Sequence, residues 1–379
     1  MRDAMHACRR TDLAFYTRSL HNGGVDRVVF NLAEEYRDRG MAVDIVVDID
    51  NAHSPFRTLL PSGVEYVVLD ARGPIARFTK LQRYLRLARP RAVMCTSFGF
   101  PNIYAVAVRR LSDVPFRLML TEHCFPSVDV ADPGPLTSRY WFFRIARFFY
   151  PHADAIVAVS QGTADDLADV IRIDPRTVQC IYNPIVSDAL HRQAESPIDH
   201  RWFTQSSVPV VIAVGRLEPQ KDFATLIRAF AQVVQTTPCR LLILGDGSER
   251  AMLSRLVASL NLDDLVEMPG FAPNPHAYVA RAAVLVLSSR FESLANVVIE
   301  AMAVGTPVVA TNCPSGPAEA LGGGRFGTLV TVGDADELAD AMLAVLKSRP
   351  ARVPASWLEQ FSTKWSADRY LESLGLVAL

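Results

Sequence analysis

Two glutamates eight positions apart, Glu292 and Glu300, stand in the stretch RFESLANVVIE. That spacing sets one carboxylate in a loop and the other in the first turns of a helix whose open amides suit phosphate. A carboxylate laid on a diphosphate would be repelled, so the pair is expected to face hydroxyls, one on a sugar and one on a ribose. The plainer alternative is a capping acid and a solvent-facing helix glutamate. Glu300, however, lies in the apolar run VVIEAMAVGTPVVA, where an ionised group needs a partner. Upstream, an apolar segment at 208–214 ends in Gly215 and Arg216, and Lys221-Asp222 opens a helix. Gly215 lets the chain turn sharply, and two cations beside helix amides suit a pyrophosphate. Solvated loop cations are the alternative. Gly245-Asp246-Gly247 follow another apolar segment, marking either close ligand approach or a tight turn. In the first half Gly23-Gly24 lies between a strand and a helix, and His123 stands at a strand end.

These residues need strand ends to carry them. Apolar runs rich in β-branched residues fall at 13–16, 43–47, 66–69, 92–96, 117–120, 155–159 and 178–181, then at 208–214, 240–244, 265–268, 284–287, 308–310 and 328–330. Helical patterns alternate with them. Continuous apolar strands between helices predict parallel sheets covered on both faces, and the pattern occurs twice. The fold class is therefore α/β, with two Rossmann-like doubly wound sheets expected to face each other across a cleft. The predicted N-terminal domain covers 1–190 and the C-terminal domain 205–355. The joint at 183–208 is polar, Pro-containing and without clear periodicity. A last helix from Trp357 to about Leu374, within 357–379, is expected to pack back on the N-terminal domain.

The bulk composition narrows the classes. The chain has 379 residues, half of them hydrophobic, and a formal net charge of -1, so nothing points to nucleic acid. Six scattered cysteines (Cys8, Cys95, Cys124, Cys180, Cys239 and Cys313) form no Cys-x-x-Cys pair and read as reduced, buried thiols. No apolar run reaches the roughly 20 residues of a membrane helix, and the N-terminus lacks a signal-peptide core. A cytoplasmic protein is expected, bound to a membrane at most at its surface. Asp48-Ile-Asp50 reads as a turn, and no metal or other cofactor is expected.

Together the motifs resemble the retaining glycosyltransferase family 4, which has the GT-B fold. The resemblance rests on GRLEPQKDFATLIRAFA, LLILGDGSE, FESLANVVIEAMAVGTPVVAT and GTLVTVGDADELADAM, joined by GGVDRVVFNLAEEYRDRG and DAIVAVSQGTADDL in the first half. It spans nearly the whole chain. By that resemblance Arg216 and Lys221 bind the donor's phosphates, Glu292 contacts the sugar and Glu300 the ribose. Gly24 lies against the diphosphate, and His123 of LTEHC lies close to the transferred sugar. Gly23, Gly215, Gly245, Ser293, Leu294, Ala295 and Asn296 complete the expected donor site. Ser-Leu-Ala after Glu292 departs from the Gly-Phe-Pro frequent in the family. CPSGPAEAL looks like members using UDP-sugars, often N-acetylhexosamines or galactose.

The expected activity is retaining transfer from a nucleotide-sugar, UDP-linked by preference, to a glycan or lipid-linked acceptor in bacterial-type surface polysaccharide or glycolipid synthesis. A GDP-mannose-dependent mannosyltransferase and a GT-B UDP-sugar 2-epimerase are the alternatives. A non-catalytic sugar-binding protein is the reading from another class. A basic helix with Arg77, Lys80, Arg83, Arg86 and Arg89 at steps of three is expected to meet an anionic membrane. So is RYWFFRIARFFY, which opens on Arg139 and closes on Tyr150.

Overall fold

The computed structural model describes residues 10–20, 23–51, 59–96, 99–130 and 138–376, without the side chains of 129–130 and 138–140. Cys8 lies outside this set, as do the side chains of Arg139 and Tyr140. The chain forms two compact units, Met1–Pro184 with Thr363–Leu379, and Ile185–Ser362. Each is an α/β unit built on one parallel sheet.

Among the described residues unit 1 holds seven strands: β1 (Leu13–Thr17), β2 (Val43–Val47), β3 (Glu65–Val68), β4 (Ala92–Cys95), β5 (Arg117–Glu122), β6 (Ala155–Ala158) and β7 (Val178–Cys180). Their order is β3-β2-β1-β4-β5-β6-β7, and every pairing is parallel. Alternate residues of each strand enter opposite cores. Leu13 and Phe15 join the face covered by the helices Gly24–Asp38 and Thr363–Ser373, whereas Ala14 and Tyr16 join the face covered by Pro74–Ala88, Phe100–Leu111 and Gln161–Ile171. The C-terminal helix is held to Gly24–Asp38 by Tyr36, whose buried hydroxyl donates to the Ala367 carbonyl at 3.0 Å, and by the Arg39–Asp368 pair at 2.5 Å.

Unit 2 holds six described strands: β8 (Val210–Val214), β9 (Arg240–Leu244), β10 (Val266–Gly270), β11 (Val284–Leu287), β12 (Val308–Thr311) and β13 (Thr328–Val330), ordered β10-β9-β8-β11-β12-β13, again parallel. The strand order reverses between β1 and β4 in unit 1 and between β8 and β11 in unit 2. Those switch points are where open parallel sheets receive ligands.

Three expectations are corrected. The segment 183–208 carries two short helices, Asp188–Glu195 and Arg201–Thr204. The first is started by the Ser187 hydroxyl, which accepts from the Leu190 amide at 3.2 Å, a capping signal too short to show as periodicity. The predicted final helix is broken into Ala355–Leu358, a 3₁₀ turn Glu359–Phe361 and Thr363–Ser373. At the break the Phe361 carbonyl accepts the Ile185 and Val186 amides, each at 2.9 Å.

The third correction concerns Arg77. Residues three apart on an α-helix precess by about 60° per step, so a run at steps of three cannot share one face. Arg77 lies one turn before Leu81 and two before Leu85, on the stripe that enters the core. Its Nε sits 3.0 Å from Asp48 Oδ2, and Tyr16 donates to Asp48 Oδ1 at 2.7 Å. Asp48 is fully buried, and burial raises its carboxyl above the usual range despite both partners. Two turns further along, Tyr84 donates to the buried Asp44 at 2.6 Å. Two buried acids of β2 and its edge thus pin the helix Pro74–Ala88 to the sheet.

Breaking such a buried pair typically costs about 3 kcal/mol. Arg77→Leu should lower the stability of unit 1 by roughly that amount near neutrality. The loss should shrink as acid protonates Asp48, because a neutral carboxyl needs no counter-ion. Denaturant unfolding of both proteins across pH measures this, and a pH-independent loss would contradict it.

Candidate active site

At the switch point of unit 2 two short loops meet. One leaves β8 through Gly215 and Arg216 and runs into the 3₁₀ turn Pro219–Lys221 and the helix Phe223–Val233; the other leaves β11 at Ser288 and runs into the helix Asn296–Ala303. Lys221 Nζ lies 2.5 Å from Glu292 Oε1, and both side chains are largely buried. The Ser289 hydroxyl donates to the same carboxylate oxygen at 2.6 Å. Charge-assisted bonds from a cation and a hydroxyl fix the Glu292 rotamer.

The backbone around this pair is stitched across the switch. Ser288 Oγ donates to the Lys221 carbonyl at 2.7 Å, the Arg290 amide to the Gln220 carbonyl at 2.8 Å, and Gln220 Nε2 to the Phe291 carbonyl at 2.9 Å. Arg290 pairs with the buried Asp222 at 3.2 Å. From β12 and its loop, Thr311 donates to the Ser289 carbonyl at 2.6 Å and Ser315 to the Ser293 carbonyl at 3.0 Å.

Two glycines allow the strand-end loops to touch. Gly245 has φ 144°, and a Cβ there would stand 1.9 Å from the Gly215 carbonyl oxygen. Gly316 has φ 29°, and its Cβ would stand 2.6 Å from the Leu294 carbonyl carbon. Three non-glycine residues of the same loops, Asp222, Ala295 and Ser315, also hold left-handed backbone. Such strain persists where surrounding bonds enforce it and is common at ligand sites. Ala295 is the N-cap of the helix Asn296–Ala303 and provides no side-chain cap. The Val298 amide bonds the Ala295 carbonyl at 2.9 Å in place of a side-chain cap. Leu294 is buried in the core, so only its backbone can face a ligand.

Glu300 is buried one turn into that helix. The partner its apolar setting demands includes His276, whose Nδ1 is 3.7 Å from Glu300 Oε2. His276 is itself buried, on the short helix Pro275–Val279 capped by Asn274. The sequence reading missed it because it stands 24 positions upstream; the capping run NPH before an apolar strand was the available signal. Arg216 is exposed and makes no side-chain hydrogen bond or ion pair with a described residue. Burial pushes the Cys313 thiol up to about 12, with Glu292 adding to the shift. It is a protonated packing group, not a nucleophile.

In unit 1, Gly23 and Gly24 are exposed at the start of the helix Gly24–Asp38, where the Gly23 amide donates to Asp26 at 3.3 Å. His123 follows β5, next to the switch. Its Nε2 lies 3.1 Å from Thr121 Oγ1. Its Nδ1 is enclosed and bonded to no described residue. Asp48 and Asp50 point into unit 1's own network, Asp50 accepting from Tyr66 at 3.1 Å. Lys80 donates to the Asp70 carbonyl at 2.6 Å and Arg86 to Asp113 at 3.0 Å, while Arg83, Arg86 and Arg89 are exposed.

Two doubly wound parallel sheets, with a cationic, hydroxyl-lined loop cluster at a switch point, define the architecture of GT-B glycosyltransferases. The family profile "Glycosyltransferase Family 4" matches residues 22–188, and "Glycosyl transferases group 1" matches residues 198–356. The chain belongs to glycosyltransferase family 4 and is a sugar-transferring enzyme of glycan synthesis. It is 32% identical over 289 residues to the N-acetylgalactosamine-N,N'-diacetylbacillosaminyl-diphospho-undecaprenol 4-alpha-N-acetylgalactosaminyltransferase of Campylobacter jejuni, covering 74% of this chain and 76% of that one. It is 32% identical over 247 residues to a lipopolysaccharide core biosynthesis glycosyltransferase of Rhizobium meliloti, covering 64% and 68%. Among solved structures, Anabaena HepE in complex with UDP and glucose superposes with a TM-score of 0.76 at 20% identity, covering 97% of this chain and 100% of that one. No described helix is long and apolar enough to cross a membrane.

Burial pushes the His123 imidazole down to about 4, below the unfolded value of about 6.5. The unfolded chain then binds more protons between those values. Stability from this group is fully present above the unfolded value and is lost as pH falls toward 4. His123→Gln should therefore lose less stability than the parent between pH 7 and pH 5 in denaturant unfolding. Equal losses would contradict a neutral, desolvated imidazole.

Proposed function

We propose that the protein transfers a sugar from a UDP-sugar, with retention of anomeric configuration, to a glycan or lipid-linked acceptor in surface polysaccharide or glycolipid synthesis. The observation that carries this reading is the Lys221–Glu292 pair at the switch point, beside a helix start without a side-chain cap. A departing nucleoside diphosphate gains negative charge in the transition state, so a fixed cation and the positive end of a helix stabilise it more than the bound donor. Lys221 and the exposed Arg216 take the phosphates in this reading, with Gly23, Gly24, Gly215 and Gly245 allowing close backbone approach. Lys221 then performs the charge neutralisation that a divalent metal performs elsewhere, and transfer is metal-independent. Glu292, oriented by Lys221 and Ser289, accepts from a sugar hydroxyl, and Glu300, backed by His276, accepts from the ribose. His123 meets the transferred sugar. The acceptor hydroxyl attacks from the face the diphosphate leaves, and a donor phosphate oxygen takes its proton. The activities of the Campylobacter and Rhizobium relatives and the UDP complex of the Anabaena structure support the donor and acceptor classes.

A thermal-shift screen with UDP-, GDP- and ADP-sugars should give the largest stabilisation with a UDP-sugar. Lys221→Ala should lower kcat by about 10²-fold or more, and product NMR should report the donor's anomeric configuration. Preference for GDP-mannose would favour the mannosyltransferase reading, isomerised UDP-sugar without acceptor the epimerase, and an inverted linkage would overturn retention.

The acceptor class motivates a membrane reading of unit 1. The neighbouring helices Pro74–Ala88, Phe100–Leu111 and Ser138–Phe149 carry exposed Ile75 (80%), Leu87, Leu111, Trp141 (53%) and Phe148 (65%) among exposed Arg83, Arg86, Arg89, Arg144 and Arg147. Exposed apolar side chains and arginines on neighbouring helices suit an anionic bilayer surface, at about 1 kcal/mol per basic residue. Flotation with anionic liposomes should recover the protein, and Arg83→Glu with Arg86→Glu should reduce recovery at least about tenfold. Equal recovery on neutral liposomes would reject the electrostatic part.

A further inference from the structure

The helix Pro275–Val279 has five residues, too few to hold its shape without tertiary support. It is fastened at both ends. Asn274 caps its start and donates through Nδ2 to the Gln193 carbonyl at 2.8 Å. Arg281, just past its end, donates to the Ala194 carbonyl at 2.9 Å. The buried Thr306 hydroxyl donates to the Val279 carbonyl at 2.7 Å, and the Thr306 amide to the Ala301 carbonyl at 2.9 Å. Thr306 thereby ties this short helix to the one that carries Glu300. The side chain that the mount delivers is His276, 3% exposed, with Nδ1 3.7 Å from Glu300 Oε2. A carboxylate oxygen only accepts, so the ring nitrogen facing it carries a proton. The contact is longer than a direct hydrogen bond, but in a buried setting an N–H dipole or an imidazolium still orients a carboxylate strongly. Holding one carboxylate oxygen fixes the direction of the other.

We infer that His276 is a positioning residue that aims Glu300 at the donor's ribose and thereby sets the preference for ribonucleotide over deoxyribonucleotide donors. This rests on the proposed contact between Glu300 and the ribose, and every residue in it belongs to unit 2. A carboxylate held in one direction is left unpaired when the ligand lacks the matching hydroxyl, and that loss is what discriminates. A carboxylate free to turn finds another donor and discriminates little.

Calorimetric titration of the full chain with UDP, 2′-deoxy-UDP and 3′-deoxy-UDP reads this preference. In the parent, removal of one ribose hydroxyl should weaken binding about tenfold. In His276→Leu, UDP and that deoxy analogue should bind within about twofold of each other. His276→Asn places an amide N–H where Nδ1 stood and should restore most of the parental ratio. His276→Gln carries its amide one bond further, at the Nε2 position, and should not. A purely structural role for His276 would weaken all three nucleotides together and keep the parental ratio in every variant, which would overturn the inference. So would a His276→Gln that restores the ratio as well as His276→Asn does, and this polar pair decides the matter if His276→Leu fails to fold. A parent that binds all three nucleotides equally would instead overturn the ribose reading of Glu300 beneath the inference.

Discussion

The ion pair between Lys221 and Glu292 ties together the two loops that meet at the switch point of unit 2. A lysine and a glutamate that are both largely buried need each other, since either alone would carry an uncompensated charge into a poorly solvated loop cluster. Their residues are 71 positions apart, and the pair forms only if β8 and β11 are neighbours and their loops leave the sheet on the same edge. The strand order that supplies this is the reversal at the switch point. Short loops, the backbone bonds around Gln220 and Ser288, and glycines at 245 and 316 then bring the strand ends together. What is left at the centre is a cation held by one carboxylate, next to helix amides. It can redistribute its bonds toward a phosphate without leaving Glu292 bare, because Ser289 remains on the carboxylate.

Unit 1 uses its acids differently. Asp44 and Asp48 spend their oxygens on Thr11, Tyr84, Tyr16 and Arg77, locking a covering helix to the sheet. The Asp-x-Asp pattern that elsewhere suggests metal chemistry is here engaged in internal bonds. The chemistry left at the strand ends of unit 1 is that of a neutral histidine and a glycine-started helix, which suits hydroxyl recognition better than charge neutralisation.

Most strands were legible because buried parallel strands must be apolar throughout, and the partly exposed β3, β7 and β13 also fall where apolar runs occur. Their ends were less so: β5 continues through Thr121 and Glu122, polar residues that hydrogen-bond inside the unit and therefore carry no hydropathy signal. Lys221 and Glu292 were legible as separate chemistry-bearing residues, but their bond was not, since spacing along the chain holds no information about two loops meeting in space. His276 and Ser289 escaped for the same reason. Arg77 was misread because charge was weighed before helical phase; its apolar neighbours Leu81 and Leu85 already placed it inside.

The central claim is that the loop cluster at the unit 2 switch point seats the donor's diphosphate. A crystal structure of the protein soaked with UDP tests it most directly. The account predicts phosphate oxygens within hydrogen-bond distance of Lys221 Nζ and of the first amides of the helix Asn296–Ala303, with the ribose on Glu300. A diphosphate bound elsewhere, with Lys221 still wholly committed to Glu292, would contradict it.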